Sequence, residues 1–394
     1  MGQTYTNVSC YIVAHPDDWQ LFMGTDAFQD ITSATDTKVV IIYTTAGDES
    51  YGYYPVYEAY CNARILGANR SVQFCADIYT PHGAWDTSYT LMITQAGITN
   101  KVLRLQYKNV VSYFLKLPDG CFEHNNINTL SKFAYSYNSS GYYTDYCSCI
   151  PENEPRHVSE LASVDGSALY KSYHELEKTI ADLLSYESTG IPQSTVHTQE
   201  IDPFINPGDH PDHVQTGALA IDVANMVNGC SDIILYQDYS TCDNSPDLTP
   251  EQISMKAGLL SQVSYGLNVS GFPGEWDPQS VCGHVSWTNK IYSRVLQTFD
   301  SLKKGDNEAQ TSLFPNPATS ILHISYNVLH TGNVEIALYD LSGRLADLII
   351  NENKEPGNYL IEYDTHSLIT ANYMMYIKTA SYVNAIKFTK NSAH

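Results

Sequence analysis

The sequence predicts an α/β protein with a Rossmann-like, doubly wound, mostly parallel sheet, followed by a small C-terminal all-β sandwich. Apolar runs with the composition of buried strands alternate with segments at helical spacing before residue 302. After that residue, short segments of alternating polarity are separated by turns. The 394 residues also exceed what one hydrophobic core usually fills. We therefore expect domains at 1–302 and 312–394, joined by a polar linker at 303–311.

The elements of the first domain follow from hydrophobic periodicity. Buried strands are predicted over Val8–Ala14, Lys38–Tyr43, Ser71–Ala76, Asn109–Leu117, Thr195–Ile201 and Asp232–Tyr239. Helices are predicted over Trp19–Phe28, Val56–Leu66, Ser172–Tyr186, Val214–Val227, Glu251–Tyr265 and Trp287–Leu302. We expect Gly67 to end the second of these helices. Residues 122–155, rich in Tyr, Ser and Asn, are expected to form a long loop or lid.

The second domain is predicted from evenly spaced short strands, a pattern typical of small sandwiches. The candidates are Ile321–Tyr326, Val334–Tyr339, Tyr359–Tyr363, Met374–Thr379 and Ala385–Phe388.

Charge and composition exclude some classes of partner. The chain has 21 basic and 43 acidic residues, a formal net charge of −22, which repels phosphate backbones and argues against nucleic acid. No stretch approaches the roughly 20 apolar residues of a membrane span. The nine cysteines cannot all pair with one another, so we expect a mixture of disulfides and buried thiols.

The first candidate site follows the first predicted strand, in Ala14-His15-Pro16-Asp17-Asp18. His15 and Asp18 are ligand types suited to zinc. Asp17 is adjacent to Asp18 and cannot easily bind the same ion in the same geometry. It is therefore available to take a proton from an attacking water. Alone, such a cluster is more often a turn or a helix cap than a metal site.

The second candidate site, His210-Pro211-Asp212-His213, lies at the start of a predicted helix. One of its histidines can complete a three-ligand site, and the other can donate a hydrogen bond to a developing oxyanion. Asp212 is placed to orient one of these rings. Both motifs fall where strands end and helices begin, the edge at which α/β sheets bind ligands, so their joint occurrence favours a metal-dependent hydrolase.

Four ordered motifs carry a resemblance to a known family: the two above, Thr45-Ala46-Gly47-Asp48, and Leu117-Pro118-Asp119-Gly120. Together they resemble the LmbE/PIG-L family of zinc-dependent N-acetylglucosamine deacetylases. The resemblance implies that His15, Asp18 and His213 bind zinc, although another divalent ion can occupy such a site.

The same resemblance implies roles for the remaining motif residues. Asp17 is expected to be the general base, and we further expect it to return the proton to the departing amine. His210 is expected to stabilise the tetrahedral intermediate, and Asp212 to orient that histidine.

We expect substrate contacts from residues near the predicted strand ends and from one position in the next helix: Asp48, Tyr54, Tyr57 and Asp119. Two departures from the family pattern stand beside the motifs. Trp19 replaces a Glu that often follows the Asp pair, and Tyr57 stands where relatives have a substrate-contacting Arg.

The C-terminal region resembles the sorting domain of the type IX secretion system of Bacteroidota. The resemblance rests on Phe314-Pro315-Asn316-Pro317-Ala318, Leu338-Tyr339-Asp340-Leu341-Ser342-Gly343-Arg344, Pro356-Gly357-Asn358-Tyr359 and Lys387-Phe388. It implies export to the cell surface or the medium by that machinery. No signal peptide follows Met1, so we expect one in the precursor. A small carbohydrate-binding or spacer module is the alternative.

The sequence thus predicts a secreted hydrolase that removes the N-acetyl group from an N-acetylglucosamine-type amino sugar, free or in an oligosaccharide, through a zinc-bound water. Two alternatives remain open. One is a zinc amidase or esterase acting on another acylated compound. The other is a surface glycan-binding protein without catalysis.

Overall fold

A computed structural model describes residues 5–47, 56–93, 97–120, 129–130, 133, 158–203, 205–227, 230–276, 282–298, 311–328, 330–340, 344–379 and 383–391. Contacts divide the chain into two units, residues 1–137 with 146–299 and residues 138–145 with 300–394. Asp48, Tyr54, most of the predicted lid and almost all of the predicted linker lie outside the described residues.

The larger unit contains an eight-stranded mixed sheet. Its strands are β1 (Asn7–Val13), β2 (Thr37–Thr45), β3 (Trp85–Ile93), β4 (Thr99–Tyr107), β5 (Val110–Leu117), β8 (Gln193–Gln199), β9 (Cys230–Tyr236) and β10 (Ser293–Thr298). The order across the sheet is β10-β9-β8-β1-β2-β5-β4-β3. The five strands from β9 to β5 are parallel, and β10, β4 and β3 are antiparallel additions. The predicted α/β class is therefore confirmed.

Strand β1 lies in the middle of this sheet and pairs in parallel with a strand on each side. Tyr11 is opposite Ile41 of β2 and His197 of β8. The strand is buried from Val8 onward, as expected for a nearly continuous apolar run in a parallel sheet. From β1 the chain passes to β2 on one side, and it later forms β8 on the other side. In α/β sheets a crevice opens at the carboxyl ends of the strands where the strand order reverses in this way.

Helices cover both faces of the sheet. They are α1 (Asp18–Phe22), α2 (Gly24–Thr32), α3 (Val56–Asp77), α4 (Tyr173–Glu187), α5 (Pro211–Met226), α6 (Pro250–Val269) and α7 (His284–Trp287). One hydrophobic cluster joins α4 and α5 to the sheet, and a second joins α1, α2, α3 and α6 to its other face. None of the described helices is long and apolar enough to cross a membrane.

Helix α3 corrects two predictions. It continues through Gly67 to Asp77, so residues 71–76 are helical and not a strand. A side chain at Gly67 would place its Cβ 2.7 Å from the carbonyl oxygen of Val263, and one at Gly266 would lie 2.3 Å from the Gly67 nitrogen. Gly67 therefore allows α3 and α6 to approach closely and does not end a helix.

The structure also differs from the sequence predictions at two other places. The described part of the helix predicted over Trp287–Leu302 is not helical beyond Trp287, because α7 ends there and the edge strand β10 follows. The β3–β4 hairpin was not predicted. A further short hairpin, β6 (Leu161–Ala162) with β7 (Leu169–Tyr170), precedes α4.

The smaller unit consists of two antiparallel sheets, as expected for a separate all-β region. Its strands are β11 (Thr311–Phe314), β12 (Ile321–Val328), β13 (Gly332–Asp340), β14 (Leu345–Lys354), β15 (Gly357–Asp364), β16 (Ala371–Lys378) and β17 (Val383–Lys390). The sheet orders are β11-β12-β15 and β14-β13-β16-β17, and their inner side chains share one core. Strands β11 and β14 were not predicted.

Candidate metal centre

The two sequence motifs meet at the carboxyl end of β1. His15 Nδ1 lies 3.0 Å from His213 Nε2 and 3.4 Å from Asp18 Oδ1, and His213 Nε2 lies 3.2 Å from the same Asp18 oxygen. All three side chains are buried. Residues 198 positions apart thus present three ligand atoms to one point.

This triangle of atoms fits a tetrahedral metal ion. Zinc bonds of 2.0–2.1 Å separate neighbouring ligand atoms by about 3.3 Å, close to all three observed separations. Two imidazoles and one carboxylate are also a common donor set for catalytic zinc, which keeps a position for water or substrate. The residues therefore fit a divalent ion of the zinc type.

Hydrogen bonds hold Asp18 in the orientation that a ligand needs. The other carboxylate oxygen, Oδ2, accepts the backbone N–H of His15 at 2.6 Å and the side-chain amide of Gln199 at 2.7 Å. Gln199 is the last residue of β8, so the neighbouring strand fixes this carboxylate. Oδ1 remains directed at the two imidazoles.

Each of the two histidines of this triangle has a carboxylate beside its other ring nitrogen. His213 Nδ1 lies 2.9 Å from Asp209 Oδ1 and 3.5 Å from Asp238 Oδ2, and all three side chains are fully buried. His15 Nε2 lies 3.4 Å from Asp119 Oδ1. Such partners set the tautomer of a ligating ring and increase its basicity.

The carboxylates give this cluster an excess of negative charge. Burial lowers the pKa of His15, but Asp119 and Asp18 more than offset burial and raise it well above its ordinary value. For His213, Asp209 and Asp18 likewise outweigh burial. A buried cluster that favours positive charge this strongly suits a divalent cation.

His210 occupies the N-cap position of α5, and its Nδ1 accepts the backbone N–H of Asp212 at 3.2 Å. A neutral ring that accepts at Nδ1 carries its proton on Nε2. Its ring centroid is 4.8 Å from that of His15 and 5.4 Å from that of His213. His210 therefore presents an N–H donor beside the ligand triangle.

Asp119 and Asp212 tie the loop after β5 to this group. Asp212 Oδ2 accepts the backbone N–H of Gly120 at 3.0 Å. Asp119 Oδ1 lies 3.8 Å from His210 Nε2 as well as near His15. Asp119 was predicted to contact substrate; its observed neighbours are histidine rings, and the substrate contact stays a prediction. The same holds for the orienting role of Asp212.

Asp17 lies at the N-cap of α1 and contacts a set of side chains separate from those around the ligand triangle. Its Oδ1 pairs with Arg64 Nη2, and its Oδ2 lies 3.6 Å from His284 Nε2. Glu275 Oε1 lies 3.6 Å from Arg64 Nη1. Burial alone would raise the pKa of Asp17, but Arg64 and His284 lower it below its ordinary value. Burial and nearby Asp17 raise the pKa of Glu275 to about 7.

The structure describes the side chain of Trp19 but not that of Tyr57. Tyr57 is the second residue of α3, but its side chain lies outside the described residues. Trp19 is fully buried, belongs to the core on the α1 face of the sheet, and donates its indole N–H to the Tyr43 hydroxyl at 2.8 Å. Trp19 is therefore a core residue.

Several residues of the cluster were not found from the sequence: Arg64, Gln199, Asp209, Asp238, Glu275 and His284. Asp209 and Asp238 did carry a signal, since Asp209 directly precedes the His210 motif and Asp238 is an acidic residue at the end of a predicted strand. Arg64 lies inside a predicted helix, where a lone Arg is normally solvated. Glu275 and His284 belong to no motif.

Comparison with known proteins gives a family for the C-terminal region. Residues 312–391 match the family described as "Secretion system C-terminal sorting domain". The resemblance stated for this region is confirmed, and the chain carries a sorting domain for secretion. No curated protein matches the chain.

Solved structures similar to this chain include deacetylases. The deacetylase of the teicoplanin biosynthesis pathway is 13% identical, with 68% of this chain and 87% of that chain covered and a TM-score of 0.36. N,N'-diacetylchitobiose deacetylase from Pyrococcus horikoshii is 16% identical, with 68% and 71% covered and a TM-score of 0.35. A zinc-inhibited teicoplanin deacetylase is 13% identical, with 67% and 86% covered and a TM-score of 0.34. At these low TM-scores, the function of this chain has to be inferred from its own residues.

Proposed function

We propose that this chain is a metal-dependent hydrolase that removes the N-acetyl group from an N-acetylglucosamine-type amino sugar. The observation that carries the proposal is the buried triangle of His15, Asp18 and His213, with ligand-atom separations of 3.0–3.4 Å. A glycan-binding protein has no need of three converging ligand atoms beside a carboxylate and a hydrogen-bond donor. The four ordered motifs support N-acetylglucosamine as the sugar class.

His15, Asp18 and His213 would hold the ion, with zinc as the first candidate. A divalent ion held there supplies Lewis acidity, which polarises an amide carbonyl and makes an attacking water more acidic. The protein's own side chains then have to accept one proton from the water and stabilise one negative charge that develops on the carbonyl oxygen.

Asp17 takes the proton from the attacking water. It is the sequence neighbour of Asp18, and its carboxylate pairs with Arg64 through Oδ1 while Oδ2 lies 3.6 Å from His284 Nε2. The Arg64 contact keeps Asp17 ionised, which is the state that a base needs before turnover.

His210 stabilises the negative charge that develops on the carbonyl oxygen. Its Nδ1 is occupied by the backbone N–H of Asp212, so Nε2 carries the proton and can donate it in a hydrogen bond. Because the helix N-terminus fixes this tautomer, the donor is oriented before substrate arrives. Asp212 would help to hold His210, and Asp48, Tyr54, Tyr57 and Asp119 would contact the sugar.

We further interpret the larger unit as a Rossmann-like doubly wound domain over residues 1–302. In this interpretation, residues 303–311 form a linker and residues 312–394 form a sandwich that directs type IX export. The substrate would then be met outside the cell or at its surface.

Metal analysis combined with acetate release from N-acetylglucosamine oligomers tests the proposal. The purified chain should contain about one equivalent of metal, lose activity with a chelator and regain it with zinc. Asp17→Asn should retain the metal and lose roughly 10²- to 10⁴-fold in kcat. His213→Ala should lose the metal. Asp182→Asn, at an exposed pair with Lys178, is the matched control and should behave as wild type.

Three results would contradict the proposal in different ways. A fully active Asp17→Asn enzyme would remove Asp17 as the base. Acid released only from other acylated compounds would make the chain an amidase or esterase. Sugar binding with neither metal nor acetate release would make it a glycan-binding protein.

A further inference from the structure

We propose that His284 is a second proton-transferring residue of this site, which protonates the departing amine. The inference rests on the proposed function and adds to it, because the sequence motifs assign that step to Asp17 alone. The observation is that the imidazole, the base and their two charged neighbours form one cluster: Asp17, Arg64, Glu275 and His284.

The cluster places His284 beside the carboxylate oxygen of Asp17 that Arg64 does not occupy. Arg64 pairs with Asp17 Oδ1, and His284 Nε2 lies 3.6 Å from Oδ2 and 4.0 Å from Glu275 Oε2. The side chain of His284 is 34% exposed, whereas those of Asp17 and Glu275 are 7% and 9% exposed. His284 is therefore the member of the cluster most accessible from solvent.

A disulfide and several hydrogen bonds hold the segment that carries His284. The Cys242–Cys282 disulfide fixes its start, and the ammonium of buried Lys256 donates to the carbonyls of Trp287 and Lys290 at its end. Lys290 Nζ donates to the Cys242 carbonyl at 2.7 Å. These contacts restrict the movement of the segment and so fix the position of the His284 imidazole.

Aromatic stacking connects the same segment to the metal ligands. The Trp287 ring stacks on Tyr239 with centroids 4.8 Å apart and an angle of 1°. The Tyr239 ring in turn meets His213 edge-on at 5.0 Å. His284 packs edge-on against Trp287 at 5.7 Å. Its position is thus fixed relative to the ligand triangle.

The proton balance of amide hydrolysis gives His284 a defined role. The water oxygen forms a bond to the carbonyl carbon, and Asp17 receives one water proton. The C–N bond then breaks as protonated His284 gives its Nε2 proton to the nitrogen. Asp17 passes the water proton to His284 across their contact, so both groups return to their initial states, with acid and amine as products.

A second metal site is the competing interpretation, since Asp17, Glu275 and His284 also converge closely enough to hold an ion. The Arg64 guanidinium argues against it. That cation already pairs with Asp17 and lies against Glu275, so part of the negative charge of the two carboxylates is already neutralised. A further divalent cation would have to displace it.

His284→Gln tests the inference through the leaving group. An amine must be protonated as it departs, whereas 4-nitrophenolate leaves without a proton. We expect the variant to lose roughly 10²- to 10⁴-fold in kcat on N-acetylglucosamine oligomers, and far less on 4-nitrophenyl acetate. Asp17→Asn should lose activity on both. His174→Gln, on an exposed histidine of α4, is the matched control.

The pH profile supplies a second measurement. Asp17, Glu275 and Arg64 are the charged groups facing His284, and the carboxylates favour its protonated form. Amide hydrolysis by wild type should therefore fall on the basic side as His284 loses its proton, and His284→Gln should lack that limb. Added imidazole should restore part of the activity of His284→Ala, since the side chain borders solvent.

The results of these experiments distinguish the role of His284 from the proposed hydrolase function. Equal losses by His284→Gln on both substrates, or no loss on the amide, would overturn the role of His284 while leaving the proposed function intact. A second equivalent of bound metal that His284→Gln removes would replace this role by a metal site. A wild-type chain that releases no acetate would overturn both.

Discussion

Removing Asp209 should weaken metal binding, because its carboxylate fixes the proton of a proposed ligand. Asp209 Oδ1 lies 2.9 Å from His213 Nδ1, with both side chains fully buried. In the neutral ring the proton must sit on Nδ1 if Nε2 is to bind the ion. Asp209→Ala removes the acceptor that favours this tautomer.

The structure also bounds the size of the effect. Loss of such a partner typically costs 10- to 100-fold in metal affinity, or about 1.4–2.8 kcal/mol. Asp238 Oδ2, 3.5 Å from the same nitrogen, can take over part of the role. We therefore expect about a 10-fold loss for Asp209→Ala and about 100-fold for the Asp209→Ala/Asp238→Ala double variant.

Zinc affinity measured by competition with a chelator at fixed pH checks this prediction. Asp182→Ala removes an exposed carboxylate and is the control, with wild-type affinity expected. Zinc affinity equal to wild type in the double variant would refute the reasoning, because His213 would then not depend on these carboxylates.

Two further predictions concern stability. Gly67→Ala should lower the free energy of unfolding by about 1–3 kcal/mol despite the helix propensity of Ala, because the new Cβ meets backbone atoms of Val263 at 2.7–2.8 Å. Burial lowers the pKa of His197 to about 3 in the folded chain, from an ordinary 6.5. The unfolded chain then binds more protons between these values, so the free energy of unfolding should fall as pH decreases from about 6.5 to 3.

Denaturant unfolding measures both effects. Gly258→Ala in α6 is the control for Gly67→Ala, since its Cβ would meet the ring tip of Phe74, a side chain that can move. A Gly67→Ala chain more stable than wild type would contradict the close approach of α3 and α6. His197→Gln should flatten the pH slope, whereas His82→Gln, at a histidine 84% exposed, should not. Equal slopes in all three proteins would exclude His197 as the source.

The convergence of the residues at the centre of the candidate site could be predicted from the sequence, because they are concentrated in short motifs at strand ends. His15, Asp17 and Asp18 follow β1, and His210 and His213 follow β8, its neighbour in the sheet. Parallel strands bring those ends to one edge, so the meeting of the two motifs followed from the predicted fold class.

The outer part of the site could not be predicted in the same way. Arg64, Glu275 and His284 each stand alone in the sequence, and only tertiary packing brings them to Asp17. The errors in the fold have a similar origin. Residues 71–76 are apolar enough to satisfy the strand pattern, and a short apolar segment does not distinguish a strand from part of a helix.

Arg64 lies on the same helix as Tyr57, the position at which the family that the sequence resembles has an Arg. The two positions are seven residues apart in α3, close to two turns, and so they share a face of the helix. A guanidinium therefore reaches this edge of the sheet from α3, although position 57 carries none. It is bound to Asp17, lies 3.6 Å from Glu275, and donates to the Gly47 carbonyl at 3.4 Å. Its charge is thus engaged within the protein, where it keeps the proposed base ionised.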